Sequence, residues 1–199
     1  MEGNYDNPLK IGASSCVYTG CYCEENIWKL CQFVEVNHKD LLDGCFAVFI
    51  SNENRQIPIW KQRASNSPDE VVVWDYHVIL ICQSNQKSFV YDLDSTLQFP
   101  CSFDEYVQLA LRSDAYLQRQ LHRMFRVIPG KLYLDTFASD RSHMKREDGS
   151  WQSTPPTYPC ISTDDSSMNL DNFIQMSGES WHGDVLNLSE FTNRFTEVI

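Results

Sequence analysis

The sequence predicts an α+β fold with an antiparallel sheet, and three observations support this class. Apolar residues recur at three- and four-residue steps directly after Cys23, short apolar runs of strand length follow up to about residue 93, and helical spacing returns after Pro100. A helix, then neighbouring strands, then further helices is an order typical of α+β proteins. The 199 residues are enough for one domain with a substantial core.

The first helix is predicted from Cys23 to about residue 36, because Ile27, Leu30 and Val34 lie on one of its faces. Strands are predicted at Cys45–Ile50, Ile57–Trp60, Val71–Cys82 and Phe89–Leu93. Further helical segments are predicted at Phe103–Leu111, Ala115–Phe125, Leu170–Ile174 and Ser189–Phe195. Residues 140–165, rich in Pro, Ser and Thr, are predicted to be mainly loop.

The domain boundary is predicted near residue 15. Residues 1–15 carry Gly, Asn and Pro without any periodicity, so we expect a flexible N-terminal arm followed by a single catalytic domain of residues 16–199.

The net charge of the chain favours some classes of binding partner over others. Sixteen Lys and Arg stand against 27 Asp and Glu, a formal net charge of −11, which disfavours nucleic acid and favours cationic ligands such as a peptide α-ammonium. An apolar run long enough to span a membrane is absent from the sequence, as is a signal-peptide pattern at its start. We therefore expect a soluble protein, monomeric and without membrane partners, in the cytoplasm, with the nucleus as a second location.

The eight cysteines then need an explanation other than a disulfide framework. Most have apolar neighbours and are predicted to be small core residues, whereas Cys23 stands where the helical period begins. The positive end of a helix dipole lowers the pKa of a thiol and so favours a nucleophile. Glu24 and Glu25 oppose this effect, which implies a further partner such as a histidinium. An inert buried cysteine is the alternative.

A predicted hairpin brings a histidine next to an acid. If the turn between the last two strands is centred between Ser84 and Asn85, His77 lies opposite Asp92, at a distance where a carboxylate can accept an imidazole N–H. A shift of two residues would pair His77 with Asp94 instead, and periodicity alone does not choose between the two acids. With Cys23, either acid would complete a Cys-His-acid triad.

A metal site is the competing interpretation of the same residues. Cys21 and Cys23, with His38 or His77, could supply soft ligands, but the Cys-x-Cys spacing and the lack of a second ligand pair in the sequence disfavour zinc. His143 lies in a polar segment and has no partner that the sequence reveals. We expect neither a metal nor an organic cofactor.

Several motifs resemble the protein N-terminal glutamine amidohydrolase family, over nearly the whole chain from Cys16 to Phe195. They are Cys21-Tyr-Cys-Glu-Glu-Asn-Ile-Trp-Lys-Leu30, Ile57-Pro-Ile-Trp-Lys61, Trp74-Asp-Tyr-His-Val78, Tyr91-Asp-Leu-Asp94 and Phe137-Ala-Ser-Asp-Arg-Ser-His-Met144. The Trp-Asp-Tyr-His-Val run gives the family its other name.

The resemblance implies a papain- and transglutaminase-like fold, with the nucleophile helix packed on an antiparallel sheet. It implies Cys23 as nucleophile, His77 as base and Asp92 as the acid. The implied activity converts an N-terminal glutamine of proteins and peptides to glutamate, which feeds the N-degron pathway of protein degradation.

Recognition of a free N-terminus needs acids near the nucleophile. Glu24, Glu25 and Asp75 are the candidates, with Trp74 and Tyr76 as walls of the pocket. Two alternatives stay open: a papain- or transglutaminase-like enzyme with the same triad, and a non-catalytic module that binds N-terminal peptides. A binding module does not need a thiol, so the three residues together favour an enzyme.

Overall fold

The fold was described from a computed structural model, which describes residues 7–177 and 182–196. Its α-helices are α1 (Cys23–Asn37), α2 (Phe103–Tyr106), α3 (Gly130–Thr136), α4 (Leu170–Ile174) and α5 (Leu188–Phe195). Its strands are β1 (Cys45–Ser51), β2 (Ile57–Ile59), β3 (Val72–Trp74), β4 (His77–Ser84), β5 (Lys87–Tyr91), β6 (Cys101–Ser102), β7 (Met124–Pro129) and β8 (Asp184–Asn187). Short 3₁₀ turns and a π-helical turn at Val107–Leu111, which continues α2, complete the described elements.

A six-stranded sheet forms the centre of the domain, in the order β6-β5-β4-β1-β7-β8, and every neighbouring pair is antiparallel. One face packs against α1, α3 and α4, and the opposite face packs against α2 and α5. Strands β2 and β3 form a separate two-stranded ribbon. Because the central strands are covered on both faces, their residues are buried in continuous runs rather than in alternation. The α+β class is confirmed.

Most of the predicted elements are confirmed to within a few residues. The strand predicted at Val71–Cys82 is instead divided into β3 and β4, which belong to different sheets, and the helix predicted at Ala115–Phe125 is wrong. Two 3₁₀ turns occupy its first part, and residues from Met124 onward form β7, which pairs with β1. Arg123 and Arg126 are fully buried, although the sequence pattern suggests a solvated helix face. Arg126 donates to the carbonyl oxygens of Phe173 and Gln175, so partners distant in the chain allow a charged residue in a central strand.

The predicted hairpin register is also wrong, by two residues. Asn85 and Gln86 both have left-handed backbone angles, so the turn is centred between them and the ladder pairs Ile81 with Val90. This register aligns His77 with position 94 in sequence. Strand β5, however, ends at Tyr91, so the ladder does not decide which acid His77 contacts.

The N-terminal segment packs on the domain from residue 7 onward. Leu9 is fully buried and Ile11 nearly so, and the Tyr91 hydroxyl donates to Asn7 Oδ1 at 2.8 Å. Residues 7–11 are therefore held in place rather than loose, and residues 1–6 of the predicted arm lie outside the described residues. Among the described residues, no helix is both long and apolar enough to cross a membrane.

Candidate active site

Cys23 is the first residue of α1. The regular helical hydrogen bonds begin with the Asn26 N–H, which donates to the Tyr22 carbonyl at 2.9 Å. The backbone amides of the first turn therefore point out of the helix beside the sulfur. Helix α1 packs its apolar face on β1 and β4, and the backbone of Val78 lies close enough to the Cys23 sulfur to lower the pKa of the thiol. This contact places the sulfur next to the start of β4, where His77 lies.

The expected lowering of the thiol pKa at the helix start is wrong. Burial, and then the negative charge of Glu24, raise the pKa of the Cys23 thiol well above its ordinary value. The Cys23 Sγ lies 3.7 Å from Glu24 Oε2, which makes this carboxylate the second cause of the raised pKa after burial. Cys23 is therefore a thiol at neutral pH, and as a candidate nucleophile it would need a base to become reactive.

His77 and Asp92 form the acid–imidazole contact that a base requires. His77 Nε2 lies 2.9 Å from Asp92 Oδ1, and both side chains are almost completely buried. Burial alone would lower the pKa of the His77 imidazole, but the charge and hydrogen bond of Asp92 raise it above its ordinary value. The Trp74 ring stacks on the imidazole with centroids 5.4 Å apart, which fixes the plane of the ring.

Asp92 is held by further donors. Gln62 Nε2 and the Tyr106 hydroxyl donate to Oδ2 at 3.1 and 2.9 Å, and the Asp94 N–H donates to Oδ1 at 3.0 Å. Burial would raise the pKa of the Asp92 carboxyl, but His77 and these donors hold it below its ordinary value. The chain turns at Asp92 after β5 ends, and this turn, rather than the strand ladder, directs the carboxylate to His77.

A pocket of about 450 Å³ brings these residues together, since both Cys23 and His77 line it. Trp74, Asp75, Tyr76 and Asp94 also line it. A larger depression of about 740 Å³ lies beside α5 and includes none of the triad residues, so its size does not mark it as the reactive site. A thiol and an imidazole that line one cavity, with an acid that orients the imidazole, are the parts needed for acyl transfer to a cysteine.

Comparison with known proteins identifies the family of this chain. Residues 18–195 match the model of the N-terminal glutamine amidase family. The chain belongs to this family. It is 51% identical to the protein N-terminal glutamine amidohydrolase of Homo sapiens, over 98% of both chains. Identity is 54% to the Danio rerio protein of the same name, over 92% of this chain and 90% of the relative, and 48% to the Drosophila melanogaster protein, over 92% and 89%.

For this member of the glutamine amidase family, the five residues predicted to bind substrate divide into two groups. Trp74, Asp75 and Tyr76 line the pocket, and Asp75 is exposed to solvent. Glu24 and Glu25 are fully buried and lie behind the pocket wall. Glu25 is therefore not available to bind an ammonium group, because both of its oxygens accept hydrogen bonds from Arg141 at 2.8 Å.

The sequence patterns assign no role to Arg141 or His143, yet both contact the first turn of α1. Arg141 pairs with Glu25, and His143 Nε2 lies 3.6 Å from Glu24 Oε1. His143 also lines the pocket. The sequence does contain a signal for these contacts. It has two adjacent acids at the start of a helix and two basic residues, separated by one position, in a distant motif. This signal does not show which acid pairs with which basic residue.

Removing the Arg141 guanidinium is expected to destabilise the fold. Arg141→Ala leaves the Glu25 carboxylate buried and unpaired, which should cost about 3–5 kcal/mol in the free energy of unfolding. The matched control is Arg55→Ala. Its ion pair with Asp171 has a similar length of 2.7 Å but lies at the surface, and it should cost less than about 1 kcal/mol. Urea unfolding measures both values, and equal losses would contradict the assignment.

One group of described residues could hold a metal ion, namely His77, Asp92 and Asp94. Asp92, however, already accepts hydrogen bonds from Gln62, Tyr106, His77 and the Asp94 amide. A metal bound to it would displace donors that already satisfy the carboxylate. The donor set therefore fits an imidazole-orienting acid better than a metal ligand.

Proposed function

We propose that this protein hydrolyses the side-chain amide of an N-terminal glutamine, releasing ammonia and leaving glutamate. The family membership supports the substrate, and one observation supports the mechanism: Cys23 and His77 line one pocket, and the imidazole of His77 contacts the buried Asp92. Asp92 is preferred to Asp94 as the acid because its Oδ1 lies 2.9 Å from the imidazole.

The reaction then proceeds through a thioester. His77 takes the proton of the Cys23 thiol as the sulfur attacks the amide carbon of the substrate. The tetrahedral intermediate collapses when its C–N bond breaks, and His77 returns the proton to the departing ammonia. A water molecule, deprotonated by His77, attacks the thioester carbon and releases glutamate and the thiol. Asp92 holds the imidazole orientation and stabilises the imidazolium in both steps.

The backbone amides of the first turn of α1 are suited to stabilise the negative oxygen of the intermediate. They lie beside the sulfur and precede the helical hydrogen bonds, which begin at Asn26. Losing one such donor typically costs about 3 kcal/mol in the transition state.

Selection of a chain terminus follows from the charge of the pocket. Asp75 and Asp94 line it, and the lining cation Arg55 is paired with Asp171. A free α-ammonium entering this cavity is attracted by carboxylates, whereas an acetylated terminus is not. The protein should therefore act on glutamine at position one only.

Four peptides test this selectivity: Gln-starting, acetyl-Gln-starting, Asn-starting and one with Gln only inside. Mass spectrometry should show the gain of about one dalton that deamidation causes, with ammonia release, only for the first. Asparagine is one methylene shorter, and a misplacement of about 1 Å costs on the order of a hundredfold.

Two outcomes would overturn the proposal in favour of its alternatives. Deamidation of the internal glutamine would indicate a transglutaminase-like enzyme, and cleavage of the backbone would indicate a papain-like protease. Binding of the Gln-starting peptide without turnover would indicate the non-catalytic module.

Chelators should leave the activity unchanged. The mechanism uses only the thiol, the imidazole and the carboxylate, so activity after dialysis against EDTA should equal that of the untreated protein, and iodoacetamide should abolish it. Activity that is lost with EDTA and restored by zinc would contradict a metal-free mechanism.

The wider setting follows from this activity. An N-terminal glutamate made in this way would feed the N-degron pathway, which agrees with the expected cytoplasmic or nuclear location. A papain- and transglutaminase-like arrangement of the nucleophile helix on the sheet remains a prediction, and α1 packing on β1 and β4 supports it.

A further inference from the structure

Three carboxylates lie near Cys23. Glu24 Oε2 lies 3.7 Å from the Cys23 sulfur, and Asp75 and Asp94 line the same pocket from the segments next to β4 and β5. All three acids raise the pKa of the thiol, after burial itself. Burial and these acids together disfavour the reactive thiolate form of Cys23.

His77 also lines the pocket, but its imidazole is held by Asp92, and the remaining charged or titratable groups near the sulfur are engaged elsewhere or neutral. Tyr76 donates its hydroxyl to Glu24 Oε2 at 3.0 Å, and Arg141 is taken up by Glu25. Burial lowers the pKa of His143, which makes its neutral form the favoured one beside Glu24. On the pocket rim, Arg55 is paired with Asp171.

One oxygen of Glu24 lacks a hydrogen bond. Its Oε1 is buried and accepts none from the described residues, with the neutral His143 imidazole 3.6 Å away, and burial raises the pKa of Glu24 to about 7. A nearby cation would thus stabilise the Glu24 carboxylate, and the cavity beside Cys23 is where a cation can enter.

We propose that the α-ammonium of a bound N-terminus activates Cys23 by neutralising the carboxylates around its sulfur, chiefly Glu24. This inference rests on the proposed function for the nature of the substrate. Glu24 then acts as a positioning residue that keeps the sulfur protonated until a positive chain terminus arrives. A terminus without the charge would leave the nucleophile inactive even if it fitted the pocket.

Alkylation of Cys23 by iodoacetamide tests the inference without any glutamine chemistry. Glycinamide serves as the cationic probe, because its amine is largely protonated at pH 7 and it has no side chain to cover the sulfur. N-acetylglycinamide is the uncharged control. Peptide mass spectrometry follows the rate at Cys23, and the exposed Cys160 serves as internal reference.

In the unmodified protein, glycinamide should speed alkylation of Cys23 at pH 7. The rate should rise by about threefold for each unit by which glycinamide lowers the pKa of the thiol, because a less basic thiolate is also less nucleophilic. N-acetylglycinamide should have no effect. Glu24→Gln should shift the pH profile of alkylation to lower pH by about one unit or more without any ligand, and should respond little to glycinamide.

Two further variants keep the test decisive. Asp75→Asn, at an exposed position, should shift the profile in the same direction by less, so the inference stays testable even if Glu24→Gln does not fold. Glu35→Gln, on the same helix and paired with Lys131, should leave the profile unchanged.

The inference is overturned if glycinamide and its acetylated form act alike, or if the folded acid variants alkylate as the unmodified protein does. Because alkylation reports on the sulfur directly, this failure is separate from a failure to deamidate glutamine.

Discussion

Cys23→Ala is expected to abolish deamidation of a Gln-starting peptide, by about 10⁶-fold, the loss seen when the nucleophile of a comparable triad is removed. The sulfur forms the thioester, and alanine offers no atom that could replace it. Folding should be nearly unaffected, because Cys23 is only partly buried and its side chain is small. Ammonia release measures the activity, and thermal unfolding measures the stability.

Cys21→Ala is the matched control, because Cys21 lines the same pocket two residues away. Cys21 precedes the helix and is exposed. Its backbone has a left-handed φ angle, which costs alanine no more strain than it costs cysteine. Its replacement should leave most of the activity. An inactive Cys21→Ala beside an active Cys23→Ala would reverse the assignment of the nucleophile.

Asp92→Asn is expected to lower kcat by about 10⁴-fold, because an amide in this position favours the wrong imidazole tautomer. The new side chain would also turn one N–H group toward donors such as Gln62 or Tyr106, so some stability should be lost as well. The pH–rate profile separates the two effects. Burial lowers and Asp92 raises the pKa of His77, so the variant should move the acidic limb of the profile to lower pH.

Asp94→Asn is the control for this prediction. Asp94 accepts a hydrogen bond from the Tyr18 hydroxyl at 2.6 Å and lines the pocket, but it has no direct hydrogen bond to His77 among the described contacts. Asp94→Asn should lose much less activity than Asp92→Asn, and the acidic limb of its pH–rate profile should shift only slightly. Equal losses in the two variants would mean that the carboxylates share the role.

The hairpin shows how a contact between two side chains can be predicted correctly from a wrong register. The predicted ladder placed His77 opposite Asp92, and the observed ladder is shifted by two residues. A shift of two residues leaves every side chain on the same face of the sheet. The sequence therefore already indicated that His77 and the acid share a face. The choice of Asp92 over Asp94 depends on the turn after β5, which the ladder does not describe.

The sequence alone determined what local spacing can encode. Periodicity specified α1 and most of the strands, the position of Cys23 at a helix start followed from the same pattern, and the motifs specified the family. Each of these depends on residues close together in the chain.

The tertiary structure alone decided which charges meet and which stay free. Glu24 and Glu25 are adjacent and alike in sequence, yet Glu25 is neutralised by Arg141, 116 residues away, and Glu24 lies beside Cys23 with one oxygen that accepts no hydrogen bond from the described residues. Burial likewise turned the expected lowering of the Cys23 pKa into a rise. Desolvation and ion pairing depend on distance in space and not on spacing along the chain, which is why the pattern of residues could name these acids but not assign their roles.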